Sequence, residues 1–126
     1  MPILMPPYRT PKHYWNAIAK IITLFIFLLI LIGTLSPASE LPDVNTGDKA
    51  VHLIAFTLLA LPLNMVVRQR WFLLNMTFII FGGAIEVIQP LIGRNGEWLD
   101  FGADTLGVLA AVMVVWGFRT VIDWDD

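Results

Sequence analysis

The sequence predicts an all-α protein, a membrane-embedded bundle of four transmembrane helices. Two observations carry this. Apolar residues fill 57% of the 126 positions and charged residues only 14%, whereas a soluble domain is nearer half apolar and a quarter charged. The apolar residues also gather into four runs, at residues 15–35, 50–67, 71–91 and 99–118, each close to the roughly 20 residues that cross a bilayer. The mean hydropathy of +0.73 agrees. Small membrane barrels alternate apolar and polar residues over segments of about ten, and these runs are longer and continuously apolar. A helix satisfies its own backbone in lipid. One domain covers residues 1–126.

Composition also excludes some functions. A net charge of -2 carries no nucleic-acid signal. The absence of cysteine excludes disulfides, thiolate metal sites and a cysteine nucleophile.

The first run follows Arg9 and Lys12 and ends before Ser36-Pro37-Ala38, which loosely resembles a signal-peptide cleavage site. The run exceeds the usual apolar core of about 7–15 residues, and a proline beside the site is unfavourable, so a retained helix is expected. The N-terminal dozen residues hold four prolines and read as a tail at the membrane surface. Residues 36–47, with Pro37, Pro42, Asn45 and Gly47, read as an irregular loop.

Asp48 then suits an N-cap, its carboxylate accepting from free amides of the second helix. Asp48 and His52 are four apart and share a helical face. Pro62 should kink this helix by removing a backbone donor, and Asn64 is placed to bond a freed carbonyl. Arg68-Gln69-Arg70 forms a tight basic turn. The third helix ends on Glu86 and Gln89, followed by Pro90. In the fourth, Asp100, Asp104, Gly107 and Ala111 recur at helical spacing along one stripe. Its acidic end meets the positive end of the helix dipole. Small residues there, and Gly82 and Gly83 on the third helix, allow close helix approach.

Orientation follows the Lys and Arg bias of short loops. Arg9, Lys12, Lys20, Arg68, Arg70 and Arg119 fall on one face, and only Lys49 and Arg94 on the other. Both termini are therefore expected in the cytoplasm, in a multi-pass membrane protein. Trp15, Trp71 and Trp116 at the cytoplasmic ends and Trp98 at the outer end suit interfacial anchors.

Two charged clusters then share the outer face. Candidate binding residues are Asp48, Lys49, His52, Glu86, Gln89, Arg94, Asp100 and Asp104. Ionisable groups at membrane depth are costly and usually pair or line a polar cavity. Each also has a structural reading: Asp48 as a simple cap, Lys49 as a snorkelling side chain, His52 as a packing histidine bonded to a carboxylate. Glu86 follows a long apolar stretch and points to a polar pocket. Arg94 is expected to answer Glu86, Asp100 or Asp104, alone or while also holding an anion. Glu40, Asp43 and Glu97 read as solvated loop charges.

In order, Asp48-Lys49…His52…Phe56, Glu86…Gln89, Gly93-Arg94 and Asp100…Asp104…Gly107 resemble the VanZ-like family of small bacterial membrane proteins. The resemblance covers roughly residues 48–107. It departs at Asp104, where the family usually has Asn, which adds a negative charge. The family takes its name from a protein that lowers sensitivity to the glycopeptide teicoplanin. The resemblance therefore implies an envelope-associated role and possible involvement in antibiotic resistance, without supplying a reaction.

The leading expectation is a non-enzymatic membrane protein with an outward-facing polar pocket. It would bind a polar or lipid-linked envelope ligand, or a partner, with Lys49 and Arg94 meeting anionic groups. A second reading is an enzyme acting on a lipid-linked substrate. There His52, Glu86 and Asp100 would be catalytic, with His52 as general acid/base and a divalent cation held by Glu86, Asp100 and Asp104. A third is proton- or ion-coupled transport, which four short helices would support best as an oligomer. The leading reading assigns no metal and no cofactor, and names the lipid bilayer as the surrounding partner. The Lys/Arg bias makes one direct prediction: a reporter fused after Asp126 is active only if it functions in the cytoplasm. Periplasmic activity would invert the assigned faces.

Overall fold

The computed structural model describes residues 12–36, 48–67, 69–94 and 96–121, with backbone alone at 12, 13, 48 and 119–121. Four helices form among these residues: α1 (Lys12–Leu35), α2 (Asp48–Val66), α3 (Trp71–Ile88) and α4 (Trp98–Val121). No strand occurs among the described residues. All four helices are long and apolar enough to cross a membrane. Their boundaries lie within a few residues of the apolar runs. The N-terminal tail and the loop between α1 and α2 lie outside the described residues.

The outward faces match that setting. Ile21, Phe25, Ile32, Ile80, Leu91 and Met113 are exposed. Such broad apolar exposure would be a liability in water and is the expected surface in lipid. The interior is a compact apolar cluster that includes Ile30, Phe56, Leu59, Phe78, Ile85 and Val108. Phe81 links three helices within it, 4.7 Å from Phe27 of α1 and 5.8 Å from Phe56 of α2 between ring centroids.

The most extensive packing is between α2 and α4, with α1 laid on α2 and α3 on α4. Residues near the start of α2 meet residues near the start of α4, so these two helices run parallel. Gly107 makes the contact possible. A Cβ there would lie 2.5 Å from the Leu53 carbonyl oxygen and 3.1 Å from the Thr57 nitrogen. The approach brings Thr57 Oγ1 within 3.1 Å of the Gly107 carbonyl, to which it donates, as it does to Leu53. Ala60 and Ala111 are fully buried, keeping the two backbones close. Glycine here acts by volume, as close helix contacts in membranes require.

Pro62 lies inside α2 without ending it, and the helix continues to Val66. Asn64 does bond a backbone carbonyl, that of Ala60 at 2.7 Å. This corrects the expected partner: the carbonyl four residues before Pro62, which the ring leaves without its usual donor, belongs to Leu58. Asn64 also exchanges two side-chain hydrogen bonds with Asn75 of α3, both 2.8 Å. This buried amide pair closes the end of the bundle opposite the charged clusters, where Trp71 also meets Trp116 at 5.1 Å. The turn into α3 places Arg70 in the left-handed region at φ 62.

At the other end, α3 passes into a 3-10 turn, Gln89–Ile92, with Pro90 in its first positions. Gly93 closes it at φ 79, a conformation that favours glycine. The Arg94 amide then bonds the Gln89 carbonyl at 2.9 Å, which fixes where the Arg94 side chain leaves the turn.

The α2–α4 contact predicts a contrast between two glycines of α4. Gly107→Ala should destabilise the detergent-solubilised protein by about 1–3 kcal/mol through overpacking. Gly102→Ala, where a Cβ meets nothing within 4 Å, should be neutral or mildly stabilising. Equal melting shifts would show that the helices do not depend on this approach.

Candidate functional site

The charged end gathers residues from α2, α3, α4 and the turn before α4. The stripe on α4 is buried as its spacing predicted: Asp100 is 2% exposed, Asp104 0% and Ala111 0%. His52 of α2 is 6% exposed and Glu86 of α3 is 5% exposed. The expected shared face thus becomes one polar centre inside the bundle.

His52 is its hub. Its Nδ1 lies 2.7 Å from Asp104 Oδ1, a charge-assisted hydrogen-bond distance. Its Nε2 lies 3.9 Å from Asp100 Oδ2. One-turn spacing on α4 therefore presents a carboxylate to each imidazole nitrogen. Gly82 of α3 backs this contact, since a Cβ there would meet Asp104 Oδ2 at 3.0 Å and Phe56 at 3.3 Å. The pair of glycines noted in the sequence thus divides its work, Gly82 facing Asp104 and Gly83 facing Phe101.

Glu86 enters from α3. Its Oε2 accepts a 2.9 Å hydrogen bond from the Glu97 backbone amide. Its Oε1 is buried and makes no hydrogen bond. Gly96 lets the connecting turn fold over this side chain. A Cβ at that position would lie 2.5 Å from the Glu86 carbonyl oxygen. A carboxylate oxygen of Glu86, one of Asp104 and a His52 nitrogen all lie within 4.8 Å of one another.

Lys49 stands at the rim, its side chain half exposed, 3.3 Å from Glu97 Oε2 and 4.0 Å from Asp100 Oδ1. Glu97 is half exposed, as a solvated loop charge would be, and also pairs with Lys49. Asp48 opens α2, and its side chain lies outside the described residues.

Two expected members of the centre turn elsewhere. Arg94 Nη1 donates to the Gly33 and Ser36 carbonyls at the end of α1, both at 3.0 Å. It does not pair with Glu86, Asp100 or Asp104, which corrects the expectation for this residue. The last turn of any helix leaves carbonyls without intrahelical partners, and a guanidinium satisfies them well. Gln89 is 2% exposed and donates to the Thr34 carbonyl at 3.1 Å. Arg94 and Gln89 therefore fasten α1 to the third connection. Sequence reasoning missed these carbonyl acceptors, which no residue type announces. It also missed the Asn64–Asn75 pair. Asn75, isolated in an apolar run, was the available signal.

No family model matches the chain, and no curated protein and no solved structure matches it. Fold and site together define the class: a four-helix membrane protein with a buried histidine–carboxylate centre at one end.

The different settings of Arg94 and Glu97 predict unequal roles. Arg94→Met should lower thermal stability by about 1–3 kcal/mol, because charged-donor bonds to α1 are lost. Glu97→Gln should cost less than about 1 kcal/mol, as for an exposed ion pair. The reverse ranking in detergent melting would remove Arg94 as the α1 fastener.

Proposed function

We propose that this chain is an envelope-associated, multi-pass protein of the bacterial cytoplasmic membrane that binds a lipid-linked ligand at its charged end. Both termini are cytoplasmic in this reading, so the buried centre faces outward. The resemblance of the ordered Asp48-to-Gly107 motif to VanZ-like proteins supports an envelope role and suggests a link to glycopeptide susceptibility.

One observation carries the ligand class. A shallow open groove runs between α2 and α4, lined by Ala50, Leu53, Leu99, Ala103 and Leu106, with Lys49 among its walls. Lys49 also lies 4.0 Å from buried Asp100. The groove and the polar centre therefore share a residue. An apolar chain fits the groove, and its polar head then lies at Lys49 beside the centre. Arg94 Nη1 is occupied by α1 carbonyls, so Lys49 is the cation this reading places at the head group. Ionisable side chains at membrane depth are retained for function by default, which favours a ligand role over a purely structural one.

The His52–Asp104 bond favours one further reading, an enzyme acting on a lipid-linked substrate. Asp104 would orient the imidazole and His52 would act as general acid/base.

Native mass spectrometry with an isoprenoid phosphate tests the binding reading. The wild-type protein should retain this lipid over an ordinary phospholipid. Gly102→Leu should fill the groove wall, since nothing lies within 4 Å of a Cβ there. Retention should fall about tenfold, equivalent to about 1.4 kcal/mol. Equal retention of both lipids, or no loss in a folded Gly102→Leu protein, would sink the proposal.

A further inference from the structure

We propose that His52, Glu86 and Asp104 form the binding site of one divalent transition-metal ion. The inference stands on the geometry of the buried centre and does not depend on the lipid-ligand reading.

Three donors from three helices converge. One nitrogen of His52 and one carboxylate oxygen each of Glu86 and Asp104 lie within 4.8 Å of one another. All three residues are more than nine-tenths buried. Ligand atoms around one ion, each about 2.0–2.2 Å from it, are necessarily separated by no more than about 4.4 Å. The 4.8 Å bound exceeds that limit, so ion binding requires the three side chains to close in and the 2.7 Å His52–Asp104 hydrogen bond to open around the ion. The contributing side chains sit on α2, α3 and α4, so an ion would join three helices at one point.

A second observation points to a ligand. Glu86 Oε1 is buried without a hydrogen bond, while Oε2 is fixed by the Glu97 amide. A buried acceptor left without a partner carries a desolvation penalty. The Glu97 amide holds the carboxylate in place and leaves its other oxygen available inside the centre. That is the arrangement of a metal-ligating carboxylate supported by a backbone donor.

Glu86, Asp100 and Asp104 gather around one imidazole. A divalent cation would engage Glu86 and Asp104 together, with neutral His52 as the third ligand.

The donor set narrows the ion. One imidazole and two carboxylates, with no thiolate, suit Zn²⁺ better than Mg²⁺ or Ca²⁺, which take oxygen ligands. Asp100 has a supporting place. It lies 3.9 Å from His52 Nε2, on the nitrogen opposite the one beside Asp104. Ligating histidines commonly turn their second nitrogen toward a carboxylate, which fixes the ring. The assignment therefore replaces the all-oxygen set of Glu86, Asp100 and Asp104 with one in which His52 ligates and Asp100 positions it.

The test uses the full chain, purified in detergent and stripped with a chelator. Co²⁺ alone should bind at one ion per chain with visible ligand-field absorption, and Zn²⁺ should displace it. Glu86→Gln retains an acceptor for the Glu97 amide, so the local fold has a means of surviving. Its Co²⁺ affinity should fall at least about 100-fold, the upper range for loss of a supporting residue. A readout on the unaltered site guards against misfolded variants. Cu²⁺ bound to the wild-type chain should show modulation from one imidazole nitrogen in pulsed electron paramagnetic resonance. The chain has two histidines, His13 and His52, and the signal should persist in His13→Gln. Absence of stoichiometric binding to the wild type would overturn the site. So would unchanged affinity in folded Glu86→Gln, or loss of the nitrogen signal in His13→Gln. None of these results would bear on isoprenoid phosphate retention, so the two proposals fail separately.

Discussion

The close parallel contact of α2 and α4 is the constraint on which the rest of this bundle depends. Gly107 admits the Leu53 carbonyl where a Cβ would stand at 2.5 Å. That approach sets the register of the two helices. The register in turn places His52 opposite Asp104 at 2.7 Å and Lys49 opposite Asp100 at 4.0 Å. In lipid, apolar side chains gain little by leaving one apolar neighbour for another, so packing and polar contacts must hold helices together. Both operate here within two turns of the same seam.

The remaining helices are placed by different means. Relative to α4, α3 is held by glycine contacts at Gly82 and Gly83 and by the turn folded over Glu86. The first helix packs mainly on α2. It contributes buried Ala19 and Ile30, while its last turn is fastened through backbone carbonyls to Gln89 and Arg94. A cation and an amide at a helix end satisfy acceptors that lipid cannot. The two residues sit on a turn whose path is fixed by Pro90 and Gly93, so the fastening rests on backbone geometry as much as on side-chain type.

Much of this was legible in the sequence where periodicity carries the information. Four apolar runs gave four helices, and the spacing of Asp100, Asp104, Gly107 and Ala111 gave a buried stripe. The same rule put Asp48 and His52 on one face of the second helix. Periodicity says which face a residue occupies, and nothing about which unlike group it meets. Arg94 was therefore assigned to the carboxylates, because opposite charges are the visible partners in a sequence. Its actual acceptors are carbonyls at 3.0 Å, present at every residue and so invisible as a signal. The second contribution of Glu97 was hidden for a related reason. Its backbone amide also binds Glu86, and that approach depends on Gly96, in the turn just before α4.

The Asn64–Asn75 clamp gives the bundle an asymmetry along its length. Its two amides exchange 2.8 Å bonds and carry no charge. Neither protonation nor ionic strength acts on such a pair directly. The opposite end is held by groups whose charge state can change, among them His52, Glu86 and Asp104. A change of charge there alters the forces at one end of α2 and α3 while the other end stays clasped.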